Sequence, residues 1–244
     1  MSERNQFDAW ARNQYRGEKG YLRSLPLACG QFIHDDGGTL KQLTAVAGGK
    51  VGFAYASSGL LCLQWDDTAD DAQKAVVNLA VPADYRVDTG VTGERSALLL
   101  VARVRKLDGT GSATDNADLK LNVTASWQNP AITDAGVETD GDAALNTLAS
   151  TVSFTDLAGT ATLPAKAAST AEEEFRTLIA DISGGMSSAQ LLALKPGASI
   201  TISLAPNEAV GTDLYIEVTS LSLHYSGHLT PTESWLRAKA LRSS

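Results

Sequence analysis

The chain has 244 residues and a mass of 25.6 kDa, which excludes a miniprotein held together by disulfides. Hydrophobic residues make up 43% of it and charged residues 20%, proportions typical of a folded globular protein rather than a disordered or fibrous one. The net charge of −8 argues against binding to the phosphates of nucleic acids.

The N-terminal segment is rich in aromatic and basic side chains. Five of the 15 aromatic residues lie within the first 32 positions, where arginines are interleaved with them and the strand signal is weak. We therefore predict an extended N-terminal arm over residues 1–45, with the composition of a protein interface. The alternative is that the arm folds back onto its own body. The polar start has no apolar stretch after it, which predicts no secretory signal.

Alternating hydrophobic and polar residues predict several strands with one face in water. The clearest of these strands is predicted from Leu119 to Trp127, where every second residue is apolar. Ser57-Ser58-Gly59 is predicted to join two further strands as a hairpin. The remaining alternating strands are predicted at residues 51–55, 61–65, 75–81 and 200–204.

Two runs depart from simple alternation. Residues 97–104 are almost uniformly apolar and predict a central strand, whose basic end at Arg103, Arg105 and Lys106 is expected to emerge at the surface. Between residues 214 and 225 the apolar positions change parity, which predicts a bulge or bend near Thr219-Ser220.

Helical signal is sparse. A short amphipathic helix is predicted over about residues 170–182, because four apolar residues there follow helical spacing behind a capping-box pattern. These four are Phe175, Leu178, Ile179 and Ile182. The C-terminal tail around Trp235 is predicted as a second short helix or an ordered extension. Connections over 107–116 and 129–150 are expected to be surface loops.

Together these elements predict an all-β fold: a jelly-roll-type antiparallel β-sandwich with one short inserted helix and an extended N-terminal arm. The missing alternation of strands and helices argues against a parallel α/β fold. The predicted organisation is an arm over residues 1–45, a β-sandwich body over 46–229 and a C-terminal tail over 230–244.

Histidine and cysteine residues do not form a recognisable site. His224 and His228 would lie about 13 Å apart on an extended chain, too far to share a metal. His34 precedes Gly37-Gly38 and is interpreted as part of a turn. Cys29 and Cys62 lack a C-x-x-C spacing and are predicted to be buried thiols.

Acidic pairs at Asp66-Asp67 and Asp70-Asp71 follow a predicted strand. They belong to one loop, whereas a glycosidase needs two acids that face each other across a groove. Oxygen-rich loops of this kind can bind calcium, but the spacing of a calcium-binding loop is missing, and a solvated acidic loop is favoured. Hydrolase and phosphate-binding motifs are also missing. We therefore predict no catalytic residue, no metal, no cofactor and no enzymatic activity.

Trp65 and Trp127 provide the main alternative function. If exposed, they would form a stacking platform for sugars, as expected of a carbohydrate-binding or host-receptor-binding module. Both have the inward parity of strong strands, which favours packing in the core instead. A glycan hydrolase would need two acids from different strands in one cleft, and the sequence offers no preferred pair.

Three segments resemble a known class of proteins: Leu63–Thr68, Val77–Tyr85 with the apolar strand at Leu98, and residues 214–225. They are similar to β-sandwich virion proteins of tailed bacteriophages. The resemblance covers roughly residues 50–127 and 198–229, and it is a pattern rather than a diagnostic motif. It implies a capsid decoration, cement or head-fibre-base protein, in which sandwiches assemble as dimers or trimers and extended termini grip the major capsid protein.

The predicted function is therefore a non-enzymatic virion protein that is made in the host cytoplasm and stabilises the phage head through protein contacts. Its expected partners are the major capsid protein or another virion protein and further copies of itself, with no nucleic acid and no membrane. Residues 1–26 and 230–244 each carry a net charge of +2, which leaves −12 on residues 27–229 and suits docking of the tails on an acidic surface. Ordinary termini with chance charges are the alternative. The predicted interface residues are Phe7, Trp10, Arg12, Tyr15, Arg16, Tyr21, Trp235 and Arg237.

Overall fold

In a computed structural model, the strands of the described residues form two antiparallel β-sheets. The structure describes residues 21–56, 59–86, 97–108, 119–129, 145–160, 162–163 and 175–227. Apolar side chains from both sheets form the main hydrophobic core. The predicted all-β sandwich is therefore confirmed.

The elements are numbered in chain order within the described residues. The strands are β1 (Tyr21–Leu27), β2 (Ile33–Asp36), β3 (Thr39–Gln42), β4 (Val51–Tyr55), β5 (Leu61–Trp65), β6 (Gln73–Ala80), β7 (Leu98–Asp108), β8 (Leu121–Gln128), β9 (Asn146–Thr147), β10 (Val152–Ser153), β11 (Arg176–Asp181), β12 (Ser199–Pro206) and β13 (Leu214–Gly227). The helix α1 spans Ser188–Ala193.

Sheet A has the strand order β11-β7-β13-β5-β4, and β1 also pairs with β13. Sheet B has the order β10-β8-β12-β6-β2-β3, and β9 also pairs with β8. Neighbouring strands are often distant in sequence: β12 lies between β6 and β8. This non-local pairing between two sheets agrees with the predicted jelly-roll type.

The core forms because the inward positions of the alternating strands are apolar. Every second residue from Leu121 to Trp127 is buried on β8, and the same holds from Ile200 to Leu204 on β12. The five strands predicted from alternation are all present, with small differences at their ends. The predicted hairpin between residues 51–55 and 61–65 is confirmed by the pairing of β4 with β5.

The predicted irregularity of the last strand is also confirmed. The register between β13 and β7 shifts between Val218 and Ser220. Before the shift, β13 pairs with β5 on its other side, and after it with β1. The bulge therefore lets apolar residues face the core on both sides of the parity change, while one long strand serves two successive neighbours.

Strand β7 is central, as its uniform hydrophobicity predicts. Leu98 and Leu100 belong to the main core, whereas Leu99 and Val101 form a second buried cluster with Ile179. Since successive side chains point to opposite faces, both faces of this strand are covered. The expectation that its basic end reaches the surface is confirmed for Arg103, which is exposed, and is wrong for Arg105 and Lys106, which are 5% and 2% exposed.

The helix predicted over residues 170–182 is wrong where the structure describes it, because residues 176–181 form strand β11. Leu178 and Ala180 face the main core, and Ile179 joins the second cluster. A strand buried on both faces has a continuous apolar run, which a short sequence does not distinguish from a helix. The helix observed, α1, begins after the N-cap Ser187, whose side chain accepts a hydrogen bond from the backbone N–H of Gln190.

The predicted arm boundary at residue 45 is wrong for residues 21–42, which form three strands of the sandwich. Strand β1 pairs along its whole length with β13, and the β2–β3 hairpin lies at the edge of sheet B. Leu27 and Phe32 are buried in the main core. The β1 sequence includes Arg23 and Pro26 and lacks clear alternation, so its strand conformation depends on pairing with β13 rather than on local signal.

Candidate functional site

The predicted interface residues fall almost entirely outside the described part of the chain. Phe7, Trp10, Arg12, Tyr15, Arg16, Trp235 and Arg237 lie there, as does the predicted tail over 230–244. Tyr21 is the first residue of β1, where its backbone pairs with Gly227. The predictions of an interface at these residues and of a dimer or trimer stay predictions.

Both tryptophans considered for sugar stacking are in the core. Trp65 is 0% exposed and Trp127 is 1% exposed. The Nε1 of Trp65 donates a hydrogen bond of 2.7 Å to the backbone oxygen of Gln73. Neither ring can stack on a ligand at the surface, so the stacking platform envisaged in the carbohydrate-binding alternative is wrong for these two residues.

A polar network fixes the β2–β3 hairpin against β6. Gln73 donates from Nε2 to Asp36 Oδ1 at 2.7 Å, and its Oε1 lies 2.8 Å from Nε2 of the buried His34. Asp36 also accepts hydrogen bonds from the ammonium groups of Lys41 and Lys50, at 2.8 and 3.1 Å. The bonds from Lys41, Gln73 and Lys50 hold the pKa of the Asp36 carboxyl well below its usual range. His34 is a strand residue rather than a turn residue, and the turn itself lies at Gly37-Gly38.

A second polar cluster lies across sheet A. Arg105 and Glu217 form an ion pair at 2.6 Å, with both side chains 3% exposed, and Gln64 donates to the other carboxylate oxygen at 2.9 Å. The guanidinium of Arg105 also lies 4.5 Å from the ring centroid of Phe175. The two charged groups of this cluster are paired with each other and buried. We therefore interpret the cluster as a structural contact that joins β5, β13 and β7 rather than as a substrate-binding site.

The thiol of Cys62 is fully buried beside this cluster. Burial and, to a smaller extent, the nearby Glu217 carboxylate raise its pKa to about 12. A thiol of this kind stays protonated at neutral pH and is a poor nucleophile. Cys62 is therefore buried as predicted, while Cys29 is only partly buried.

The acidic loop after β5 is shaped by its own hydrogen bonds. Asp70 Oδ1 accepts a hydrogen bond from the backbone N–H of Ala72 at 3.1 Å. The backbone N–H of Ala69 donates to the backbone oxygen of Asp66 at 3.0 Å. Burial raises the pKa of Asp66. In the part of the chain that the structure describes, no three histidine, cysteine, aspartate or glutamate residues are grouped so that they could hold a metal. No helix in the same part is long and apolar enough to cross a bilayer.

The tip of the β4–β5 hairpin presents exposed apolar side chains. Tyr55 is 77% exposed, Leu60 57% and Leu61 44%; we call these three residues the tip patch. Tyr55 and Leu61 are paired across the two strands, so their side chains project on the same side. The loop is closed by hydrogen bonds from Ala56 N to Leu60 O and from Gly59 N to Ala56 O, at 2.9 and 2.7 Å. The patch thus lies at the paired ends of β4 and β5, at the edge of sheet A.

A groove lies on the outer face of sheet B. It has a volume of about 210 Å³ and a floor of four hydroxyl side chains, Thr124 and Ser126 on β8 and Thr201 and Ser203 on β12. One wall is the segment from Thr147 to Thr151. We call this feature the hydroxyl groove. Its lining contains no charged side chain and no aromatic ring.

The sequence contained partial signals for these two surfaces. Tyr55 has the same parity as Val51, so alternation alone predicts that both face the core. Val51 is buried, but Tyr55 lies at the end of β4 next to the hairpin turn and is exposed. The polar parity of Thr124 and Ser126 was evident, whereas their pairing with a strand about 77 residues later was not. The hydroxyl groove could not be recognised as a surface before that pairing was known.

Comparison with known proteins shows no matching protein-family model and no matching curated protein. Solved structures with related folds include a xylan-binding module of family CBM15, with 10% identity and a TM-score of 0.42 over 86% of this chain and 100% of the other. The CBM22-1 xylan-binding domain of Paenibacillus barcinonensis Xyn10C has 12% identity and a TM-score of 0.34, over 88% and 100%. A Bacteroides vulgatus protein provisionally named as a glycoside hydrolase has 14% identity and a TM-score of 0.35, over 70% and 75%. These likenesses are too distant to support a function.

Proposed function

We propose that this protein is a non-catalytic structural component of a tailed-phage virion, which attaches to the major capsid protein through the tip patch and stabilises the shell. The observation that carries the proposal is the exposure of Tyr55, Leu60 and Leu61 at the paired ends of β4 and β5. Tyr55 and Leu61 project from the same face of the hairpin, and neighbouring exposed apolar side chains that include a tyrosine are typical of a contact with another protein.

The chemistry of the tip patch suits an anchor. Tyrosine is enriched among residues that dominate binding energy, and each fully buried leucine contributes about 1.5–3 kcal/mol. The patch is far smaller than a stable dimer interface, which takes roughly 20–30 residues from each partner. Further contacts of the same chain with the shell, or an oligomer that places several tip patches on it at once, would supply the remaining affinity.

The polar clusters of the described residues fit the same proposal. The Arg105–Glu217 pair and the Gln73 network are saturated with internal partners, as expected of groups that stabilise a scaffold. The resemblance of the sequence to virion proteins supplies the choice of partner, and the confirmed β-sandwich is compatible with it.

The test uses virions assembled with variants of this chain. A Tyr55→Ser, Leu60→Ser double variant is expected to reduce the amount of protein on gradient-purified particles by about tenfold or more, since two anchor side chains are lost. The matched control is Leu192→Ser, which removes a leucine of similar exposure, 55%, from α1. Thermal unfolding should show that both variants keep the fold. Equal amounts of the double variant and the native chain on particles would contradict the proposal.

A further inference from the structure

The hydroxyl groove is a separate feature on a different sheet from the tip patch. In the register of β8 and β12, Thr201 lies opposite Ser126 and Ser203 lies opposite Thr124. Side chains that are directly opposite on one sheet face have Cβ atoms about 4.5–5.5 Å apart. The four hydroxyl residues therefore lie as two neighbouring cross-strand pairs on the floor of the groove.

These hydroxyls are available to a ligand. Among the residues that the structure describes, none of the four side chains forms a hydrogen bond. Each hydroxyl can donate one hydrogen bond and accept others. The floor thus offers both donors and acceptors of hydrogen bonds.

The wall of the groove is held in place from two sides. Leu148 N donates to Ala125 O on β8 at 3.0 Å, and Ser150 N donates to Gly185 O at 3.2 Å. Gln190 adds a third link, because its Nε2 donates to the backbone oxygen of Thr147 while its Oε1 accepts from Ser187 N at 2.9 Å. The same glutamine therefore closes the capping box of α1 and fixes the wall, so that the groove exists without a ligand.

The lining indicates the class of ligand. Without a charged side chain the groove has no partner for an anion or a cation. The backbone groups of β8 and β12 are used in the sheet, so a peptide would find no main-chain partners of the kind that bind extended peptides. Neighbouring sugar hydroxyls both donate and accept, which matches the floor, and Leu148 offers an apolar surface to the C–H groups of a ring. Pockets for drug-sized ligands usually have volumes of roughly 300 Å³ or more. The groove is smaller, so it can hold only a small part of a ligand.

We propose that the hydroxyl groove binds one ring of a neutral carbohydrate. This site does not depend on attachment to a virion and is distinct from the tip patch. It uses no aromatic stacking from the described residues, so its selectivity comes from hydrogen bonds to the four hydroxyls.

The test is a titration of the purified full chain, followed by amide NMR. The probes are cellotetraose, maltotetraose, xylotetraose and mannotetraose at millimolar concentrations, with tetragalacturonate as an anionic control. At least one neutral probe is expected to shift the amide signals of Thr124, Ser126, Thr201 and Ser203 in a saturable manner, while the anion does not. Absence of such shifts for all four neutral probes, or a preference for the anion, would overturn the proposal.

Variants locate the binding within the groove. Ser126→Ala combined with Thr201→Val is expected to weaken binding by about fivefold for each hydroxyl removed. Thr39→Val, which removes an exposed hydroxyl from β3 in the same sheet, is the matched control and should bind like the native chain. Gln190→Glu keeps a side-chain oxygen that accepts from Ser187 N, but it removes the N–H that donates to the backbone oxygen of Thr147. This variant should weaken binding because the wall of the groove is then held less firmly. Native affinity in the double variant, with the fold intact by circular dichroism, would overturn the proposal.

Discussion

Arg105 and Glu217 carry opposite charges and are buried together in sheet A. Charged residues at the end of an apolar run normally mark the point where a strand reaches water. Here the pair lies in register across β7 and β13, and each charge has its opposite at 2.6 Å. Their burial depends on a partner 112 positions away, which no local pattern reveals.

The first prediction concerns this ion pair. Arg105→Met should lower the free energy of unfolding by about 3–5 kcal/mol, because it leaves the Glu217 carboxylate buried without its cation. The double variant Arg105→Met, Glu217→Leu should recover much of that loss, since apolar pairs can replace buried ion pairs. Urea denaturation measures both. A double variant that is destabilised by the sum of the two single effects would show that the two charges do not act as a pair.

The second prediction concerns Asp36 and acid. An unfolded aspartate has a pKa of about 3.9, whereas the folded pKa is lower because Lys41, Gln73 and Lys50 bind the ionised form. The stabilising contribution of Asp36 is thus complete above about pH 4 and is lost as pH falls through the folded pKa. Asp36→Asn should therefore reduce the urea midpoint at pH 7 but flatten its decline between about pH 4 and pH 2. Parallel curves for the native chain and the variant would contradict this role of the network.

At the scale of elements, the sequence predicts the strands whose two faces differ. Strands β4, β5, β6, β8 and β12 each alternate, and the parity change in β13 marks its bulge. Strand β11 is hidden by burial on both faces, and β1 to β3 lack alternation and depend on their neighbours. Local sequence therefore reports the half-buried strands, whereas strands defined by tertiary pairing need the three-dimensional structure.

The third prediction concerns the approach of residues 44–46 to β4. Phe53 N donates to Thr44 O at 2.7 Å, and Val46 N donates to Phe53 O at 2.9 Å. A Cβ on Gly52 would lie 2.6 Å from the Cα of Val46 and 2.8 Å from the oxygen of Thr44, both backbone atoms that cannot turn away. Gly52→Ala should lower the free energy of unfolding by about 1–3 kcal/mol, as overpacking does.

The control for Gly52 is Gly30→Ala, because a Cβ at Gly30 meets no atom within 4 Å. That variant should change stability by no more than about 0.5 kcal/mol, as is usual at surface positions. Both are compared by urea denaturation. If the two alanine variants unfold at the same urea concentration, the close approach of residues 44–46 does not constrain β4.

At the scale of the whole molecule, the two candidate surfaces occupy different sheets. The tip patch lies on the β4–β5 edge of sheet A, and the hydroxyl groove lies on the outer face of sheet B. Loss of one surface should therefore leave the other intact. A sandwich with an internally saturated scaffold and two separate surfaces is suited to holding a protein partner while leaving a second face available for another ligand.

The central claim, that this protein is a structural component of a tailed-phage virion, has one direct measurement. Gradient-purified tailed-phage particles from a culture that expresses this chain are analysed by quantitative mass spectrometry, with the soluble part of the same lysate as reference. We predict that the chain is present in the particle band in many copies per capsid. A chain that is abundant in the soluble fraction and missing from the particles would contradict the claim.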